Sequence, residues 1–428
     1  MLWLCFCISR AEENIVRLPK YEFARNTKVC LAVKYVDTFL IHEAAGHPQI
    51  QALPQQRQER QMEDTLETCR RLYNSLLADR KERGTGFYEQ EKSLVTLKSE
   101  EKFLRAANAQ VLQDVVLRLD KAFQAFFAGL SRHPRFKRQG RYSSFTYPQL
   151  GGFKITGSRL KLSKIGSVKV KLHRAITGNP KRCTIIRDVD QWFACIIVER
   201  EQESADATLV NAKPPVGVDL GTANLAVLSD GTVFHNPKHF SHAVKRINTL
   251  QKSLSKKRSG SRKREKTKLL LAKAYRKVRR QRDDTAHKVS RYLADTYSCI
   301  AFENLKILNM VKNHHLASAI TDSTWGKLRT LTAYKAERRG GRVILVNPAG
   351  TSQKCSECGE VVLKDLSVRV HRCPRCGLIL DRDVNAARNV LKRGLERALV
   401  EEQPLLVQRR VISRFAPVKQ KASGFIRG

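Results

Sequence analysis

The sequence predicts a multidomain α/β protein of about three domains. Three features carry that prediction. Helical apolar periodicity fills residues 55–130, short period-two strands separated by Gly and Pro fill 134–202, and from Val216 strands alternate with long helices. The chain has 428 residues, of which 42% are hydrophobic. That is enough apolar material for several cores, and it excludes wholesale disorder.

The elements follow in order. Residues 1–54 read as an irregular, atypical N-terminal segment. Its opening MLWLCFCISR is apolar but short, without a basic n-region or a small-residue cleavage site, so a signal peptide is not expected. From Gln55, the residues Met62, Leu66, Cys69, Leu72 and Leu76 recur at steps of three and four until RKERGTG breaks the stripe. Leu104, Val111, Val115, Leu119, Phe123 and Phe126 mark a second helical region over 99–130, and 55–133 reads as a small helical bundle.

At His133-Pro134 the pattern changes. Leu160/Leu162, Val168/Val170/Leu172 and the one-sided set Trp192, Ala194, Ile196, Val198 predict a small β-barrel, which with a linker spans 134–210. Strands at 216–220, 223–229 and 232–234 then form a meander, followed by basic helices over 240–297, the strand SCIAFENL, a helix near 323–339 and the strand RVILVNP. This is a mixed sheet over 211–349, interrupted by 350–380 and resumed over 381–399, with a tail at 400–428.

Charge sets the partner class. Lys and Arg number 80 against 40 Asp and Glu, a formal net charge of +40. Such an excess calls for a polyanion, with nucleic acid first. An anionic membrane is the alternative, but no apolar run reaches the ~18 residues of a spanning helix. Between Lys245 and Arg291 lie 19 Lys/Arg and only three acids, Glu265, Asp283 and Asp284. A solvated helix face is the plain reading of a charge run, yet like charges on adjacent turns repel, and phosphates would neutralise them. RHPRFKRQGRYSSFTY interleaves cations with Phe136, Tyr142, Phe145 and Tyr147, which suits base stacking or, equally, barrel core.

Of 11 cysteines, four stand in two knuckles, CSECG and CPRCG: Cys355, Cys358, Cys373 and Cys376. Two C-x-x-C pairs, each followed by a glycine for the tight turn, give four thiolates for a closed tetrahedral Zn²⁺ site, which is structural because no position is left open. A redox pair is the alternative, and the matched second knuckle argues against it. The other seven cysteines are scattered, as expected in a reducing cytoplasm.

Three acids sit at the edges of apolar elements. Asp219 lies in VGVDLGT, Glu303 ends SCIAFENL, and Asp383 lies in LILDRDVNAARNV. Singly, each has a structural reading: Asp219 as a turn acid, Asp383 as a helix N-cap, with Asp381 competing for either role of Asp383. Together, converging carboxylates repel unless divalent cations lie between them. Mg²⁺ prefers such oxygens, and a pair of these ions supports phosphodiester cleavage.

The order Asp, Glu, zinc ribbon, Asp resembles the RuvC-like nuclease half of the TnpB family, the OrfB-type proteins of insertion sequences. VGVDLGTANLAVLSDG, IAFENLKI, TSQKCSECGE and HRCPRCGLILDRDVNAARNVLKRG carry the resemblance, over roughly 215–395. The resemblance implies an RNase H-like (RuvC) mixed sheet with an inserted zinc ribbon, a helical recognition lobe and a β-barrel wedge domain. It implies RNA-guided DNA cutting with Mg²⁺ and Zn²⁺, guide RNA and double-stranded target DNA as partners, and a prokaryotic cytoplasmic, nucleoid-associated setting. Asp219, Glu303 and Asp383 become the catalytic triad and Asp381 a neighbour. A strand-transferring transposase and an inert nucleic-acid-binding regulator are the alternative functions. The family's opening Tyr-x-x-Arg-Leu-Tyr-Pro strand is matched here only around Leu53-Pro54.

Overall fold

The computed structural model describes residues 49–414 apart from 174, 177, 200–212 and 366; for 49, 308, 314, 315 and 401–414 it describes the backbone alone. The expectations for 1–48, for most of the linker and for 415–428 fall outside the described residues. The chain forms two compact units, Met1–Glu203 with Ser241–Arg280, and Ser204–Phe240 with Gln281–Gly428.

The first unit holds β1 (Gln49–Leu53), α1 (Gln56–Arg83), α2 (Phe87–Glu100) and α3 (Ala109–Phe127), then β2 (Ser144–Tyr147), β3 (Phe153–Thr156), β4 (Arg159–Leu162), β5 (Gly166–Lys171), β6 (Asn179–Asp188) and β7 (Gln191–Glu199). Most of α4 (His239–Ser255) and the first part of α5 (Arg262–Thr296) belong to it too. The stripe Met62, Leu66, Cys69, Leu72, Leu76 is buried along its whole length. Helix α1 ends at Gly84, whose φ of +68° lets the chain leave through the left-handed region. The second helical region starts earlier than its periodicity indicates. Only Gln90 and Leu94 of α2 are buried, too few to show a stripe. Asn108 starts α3 by accepting a bond from the Gln110 amide at 2.8 Å. Arg118 then joins α3 to β2, reaching Asp114 at 2.6 Å, the Ser144 carbonyl at 3.0 Å and the Thr146 hydroxyl at 2.6 Å.

The strands form one seven-stranded sheet in the order β2-β6-β7-β1-β5-β4-β3. Its end strands are not paired with each other, but the Tyr147 hydroxyl at the end of β2 donates to the Ser163 carbonyl after β4 at 2.9 Å. The sheet is therefore curled and nearly closed rather than a fully paired barrel. Strand β1 corrects the reading of 1–54 as irregular, because it is the central strand, paired through Ile50↔Ala194 and Ala52↔Val170. A five-residue strand with two inward side chains is too short to read alone; its pairing on both edges holds it. Phe145 and Tyr147 are core at 1% exposure, which decides their reading against stacking, whereas Phe136 stays exposed. Leu172 lies past the end of β5 and is exposed.

The second unit holds β8 (Val216–Asp219), β9 (Asn224–Leu228) and β10 (Val233–His235), the rest of α5, β11 (Cys299–Glu303), α6 (Ile307–Met310), α7 (His314–Ser323), α8 (Trp325–Glu337), β12 (Arg342–Val346), β13 (Val370–Arg372), β14 (Ile379–Asp381) and α9 (Arg382–Arg414). Five strands form a mixed sheet, β10-β9-β8-β11-β12. The pairs β10–β9 and β9–β8 are antiparallel; β8–β11 and β11–β12 are parallel. Ile300 and Phe302 pack with Leu293 of α5 and Leu328 of α8, while the alternate residues Cys299 and Ala301 pack with Val390 and Ala398 of α9. Helices thus cover both faces, as the continuous apolar strands require. Helix α9 runs past the expected boundary at 399, since Ala398, Leu399, Glu401 and Glu402 are good helix formers and no glycine stops them.

Glycine sets how closely α9 approaches the sheet. A Cβ on Gly217 would lie 2.1 Å from the Ala387 carbonyl and 2.5 Å from the Leu391 amide, and one on Gly394 would lie 2.5 Å from the Ala301 side chain. Gly217→Ala should push α9 off β8, lowering stability by about 1–3 kcal/mol. A thermal melt checks this, and an unchanged midpoint would show that the helix yields without cost.

Candidate active site and metal centre

The apolar strands β8 and β11 are neighbours in parallel register, with Val218 opposite Phe302. The next residues are Asp219 and Glu303, which end their strands on the same edge of the sheet. Helix α9 packs on β8 and brings Asp383 in its first turn to that edge. Burial first, then the negative charges of Glu303 and Asp383, push the carboxyl of Asp219 well above the usual carboxylate range. The backbone brings the three acids near one another, through neighbouring parallel strands and the helix packed on β8, and their mutual repulsion is what raises Asp219. Among the described residues no hydrogen bond or ion pair reaches the Asp219 carboxylate. Burial also raises Glu303, and the Thr351 hydroxyl and the Arg393 charge offset that only in part.

Asp381 and Asp383 divide their roles. Asp381 caps α9, its Oδ1 accepting the amides of Asp383 at 2.8 Å and Val384 at 3.1 Å. That leaves the Asp383 carboxylate free of capping. It meets Arg382 at 3.1 Å and Arg369 at 3.6 Å instead. The acids do not close on one point: among the described residues, only the four knuckle cysteines bring three or more such ligand atoms within 4.8 Å of one another. A half-buried carboxylate without a donor, set between two further carboxylates, nevertheless fits a divalent cation, because an oxygen-only anionic donor set is what Mg²⁺ takes.

The cysteine site is compact. Cys355 and Cys376 sulfurs lie 3.6 Å apart, and those of Cys358 and Cys373 lie 3.5 Å apart. A tetrahedron with Zn–S bonds of about 2.3 Å has edges of about 3.8 Å, so the four thiols fit one zinc ion. Both knuckles share one backbone pattern. The Cys355 amide bonds the Glu360 carbonyl and the Gly359 amide bonds back to Cys355, as Cys373, Leu378 and Gly377 do in the second. Gly359 and Gly377 hold φ of +77° and +75°, which explains a glycine after each pair.

The residues that tie the ribbon to α9 and Glu303 carry little signal in the sequence. Asn385, fully buried, accepts the Ser356 amide at 2.9 Å and donates to the Lys354 carbonyl at 2.8 Å. Asn389 donates to the Thr351 and Lys354 carbonyls at 2.9 and 2.7 Å. Thr351 donates to Glu303 Oε1 at 2.6 Å. The only trace in the sequence is the i, i+4 spacing of the asparagines on one helix face.

The basic run divides between two uses. In the first unit, Lys273 and Arg276 pair with Asp190, each at 2.6 Å, and Arg279 and Arg280 pair with Asp188 at 2.5 and 3.2 Å. These cations are engaged within the fold. Lys245, Arg246, Lys252, Lys256, Arg258 and Arg262 are exposed, with no ion-pair partner among the described residues. No described helix is long and apolar enough to cross a membrane.

Three family models match: one described as a helix-turn-helix domain over 49–92, one described as "Probable transposase" (OrfB_IS605) over 195–314, and one described as "Cas12f1-like, TNB domain" over 325–390. A protein of Escherichia coli (strain K12) named "Putative RNA-guided DNA endonuclease InsQ" is 32% identical over 80% of this chain and 91% of its own length. A Streptomyces pristinaespiralis protein with the same name, without InsQ, is 31% identical over 80% of this chain and 87% of its own. A solved Cas12f1–sgRNA–target DNA complex matches at 15% identity and a TM-score of 0.33, over 80% of this chain and 98% of that one.

Proposed function

The chain belongs to the TnpB family of OrfB-type insertion-sequence proteins, and from that premise we propose that it is a transposon-derived, RNA-guided DNA endonuclease. One observation carries the proposal: Asp219 and Glu303 end neighbouring parallel strands of the mixed sheet, and the helix packed on β8 carries Asp383 in its first turn. In this reading 211–349 and 381–399 form the RuvC-like nuclease, whose sheet order supports an RNase H-like fold, and 350–380 is its zinc ribbon. The α1–α3 bundle is the recognition lobe, and the curled sheet is the wedge that grips the guide.

Asp219, Glu303 and Asp383 would hold Mg²⁺, which when bound supplies charge neutralisation at the phosphate and a more acidic water. The chain's own part is to fix the acids. Strands β8 and β11 set Asp219 and Glu303 side by side, and the Asp381 cap fixes the first turn of α9, from which Asp383 would join them. Cys355, Cys358, Cys373 and Cys376 would hold the structural Zn²⁺. The exposed cations of α4, of the start of α5 and of the turn between them, Lys256 and Arg258 included, bind phosphate backbone.

A strand-transferring transposase would use the same acids, and one matching model is described by that activity. The two readings separate by what the purified protein carries. Guide RNA should co-purify, and reprogramming it should redirect Mg²⁺-dependent cutting. A complex with DNA alone that joins ends would overturn the reading. Nucleic-acid affinity should fall about 10³-fold between 50 and 200 mM salt if the six exposed cations each meet a phosphate. Replacing Lys256 and Arg258 by Ala should then reduce the slope of log affinity against log salt by about two. An unchanged slope would place the phosphates elsewhere.

A further inference from the structure

The loop between β12 and β13 touches both arms of the active site. Thr351 is buried, with its hydroxyl oxygen 2.6 Å from Glu303 Oε1 and 2.9 Å from the Pro348 carbonyl. A hydroxyl has one proton to give. When Glu303 is ionised, the charge-assisted bond to Oε1 is the stronger use of it. That bond occupies one carboxylate oxygen and fixes the rotation of the group, leaving Oε2 for the site. Thr351 is itself fixed, because its carbonyl accepts a buried bond from Asn389 on α9 at 2.9 Å. One residue thus links the acid on β11 to the helix that carries Asp383.

We propose that Thr351 is a positioning residue for the cutting reaction: its hydroxyl sets the orientation of the Glu303 carboxylate, and Asn389 holds Thr351 in register with α9. This rests on the reading above, in which Glu303 holds a divalent cation. Without the hydroxyl the carboxylate turns freely, and ligand orientation lost in this way weakens metal binding by about 10–100-fold.

The test uses the full-length, guide-loaded protein as wild type, Thr351→Val, Thr351→Ser, Asn389→Leu and Glu303→Gln. Free Mn²⁺ measured by electron paramagnetic resonance reports cation binding without catalysis, and Mg²⁺ titration of cutting reports it with catalysis. Thr351→Val should weaken Mn²⁺ binding about 10-fold or more and raise the Mg²⁺ midpoint by the same factor. Zinc content and DNA retention should stay at the wild-type level. Thr351→Ser, which keeps the hydroxyl, should stay within about two-fold of wild type. Asn389→Leu should move the midpoint in the direction of Thr351→Val, which keeps the idea testable should that variant fold poorly. Wild-type metal dependence in Thr351→Val, beside a loss in Glu303→Gln, overturns the positioning role alone. So does a Thr351→Ser variant as impaired as Thr351→Val, or a loss of zinc in step with cutting. Wild-type Mn²⁺ binding and cutting in Glu303→Gln would instead overturn the assignment of the acids, and this role with it.

Discussion

Asp219→Ala should stop DNA cutting by the guide-loaded protein, by at least about 10³-fold, and leave DNA retention at the wild-type level. The size follows from position: Asp219 ends β8, which lies beside the strand of Glu303 and against the helix that carries Asp383. Removing a metal ligand costs several kcal/mol of transition-state stabilisation. Retention survives because the phosphate contacts assigned to α4, α5 and the turn between them involve other side chains. Glu303→Gln should behave alike. Cleavage and gel-shift assays on the same preparations check both, and a variant that loses DNA retention along with cutting would contradict the separation.

A stability readout gives the same assignment an independent check. Burial and two neighbouring carboxylates raise the Asp219 carboxyl, so the folded protein holds a proton there more tightly than the unfolded chain. The sign follows from linkage. Such a group leaves stability intact below its unfolded value and costs stability as pH rises through its folded value. Asp219→Asn removes that cost. Without Mg²⁺ but with zinc retained, its melting point at neutral pH should equal or exceed wild type, and the difference should vanish in acid. A neutral-pH melting point below wild type would mean that Asp219 has a stabilising partner.

The sequence made legible what depends on residue type and local spacing. The knuckle glycines, the Asp and Glu at strand ends and the α1 stripe all announce themselves within a few residues. Contacts across long sequence separations did not. Strand β1 is defined by partners more than a hundred residues away. The choice between Asp381 and Asp383 needs the helix start, which shows Asp381 occupied by two amides. Half of the story of the basic helices lay in Asp188 and Asp190, two acids in a hairpin turn that nothing in the helical run mentions. Thr351 reads as an ordinary loop residue until Glu303 is placed beside it.

Cys358→Ser should empty the zinc site, and with it most of the cutting activity. A closed four-cysteine site draws its affinity from all four thiolates, and structural zinc sites contribute about 10–16 kcal/mol of apparent binding free energy. The ribbon has little else to hold it: its hairpin β13–β14 is three residues on each side, and Val361, Leu363, Val368 and Val370 are exposed. The consequence travels by a defined route. Ser356 and Lys354, on either side of Cys355, are the groups that Asn385 bonds on α9. A loosened knuckle releases that helix, and Asp383 with it. Zinc content should fall from about one per chain to near zero, and cutting should fall about 10–100-fold at least, the range found when groups that orient metal ligands are lost. Asn385→Leu separates cause from route, because it cuts the tie and leaves the thiolates alone. It should keep its zinc and still lose cutting. If Cys358→Ser retains zinc and cuts normally, the ribbon does not position Asp383; if Asn385→Leu cuts normally while Cys358→Ser does not, the coupling runs through another path.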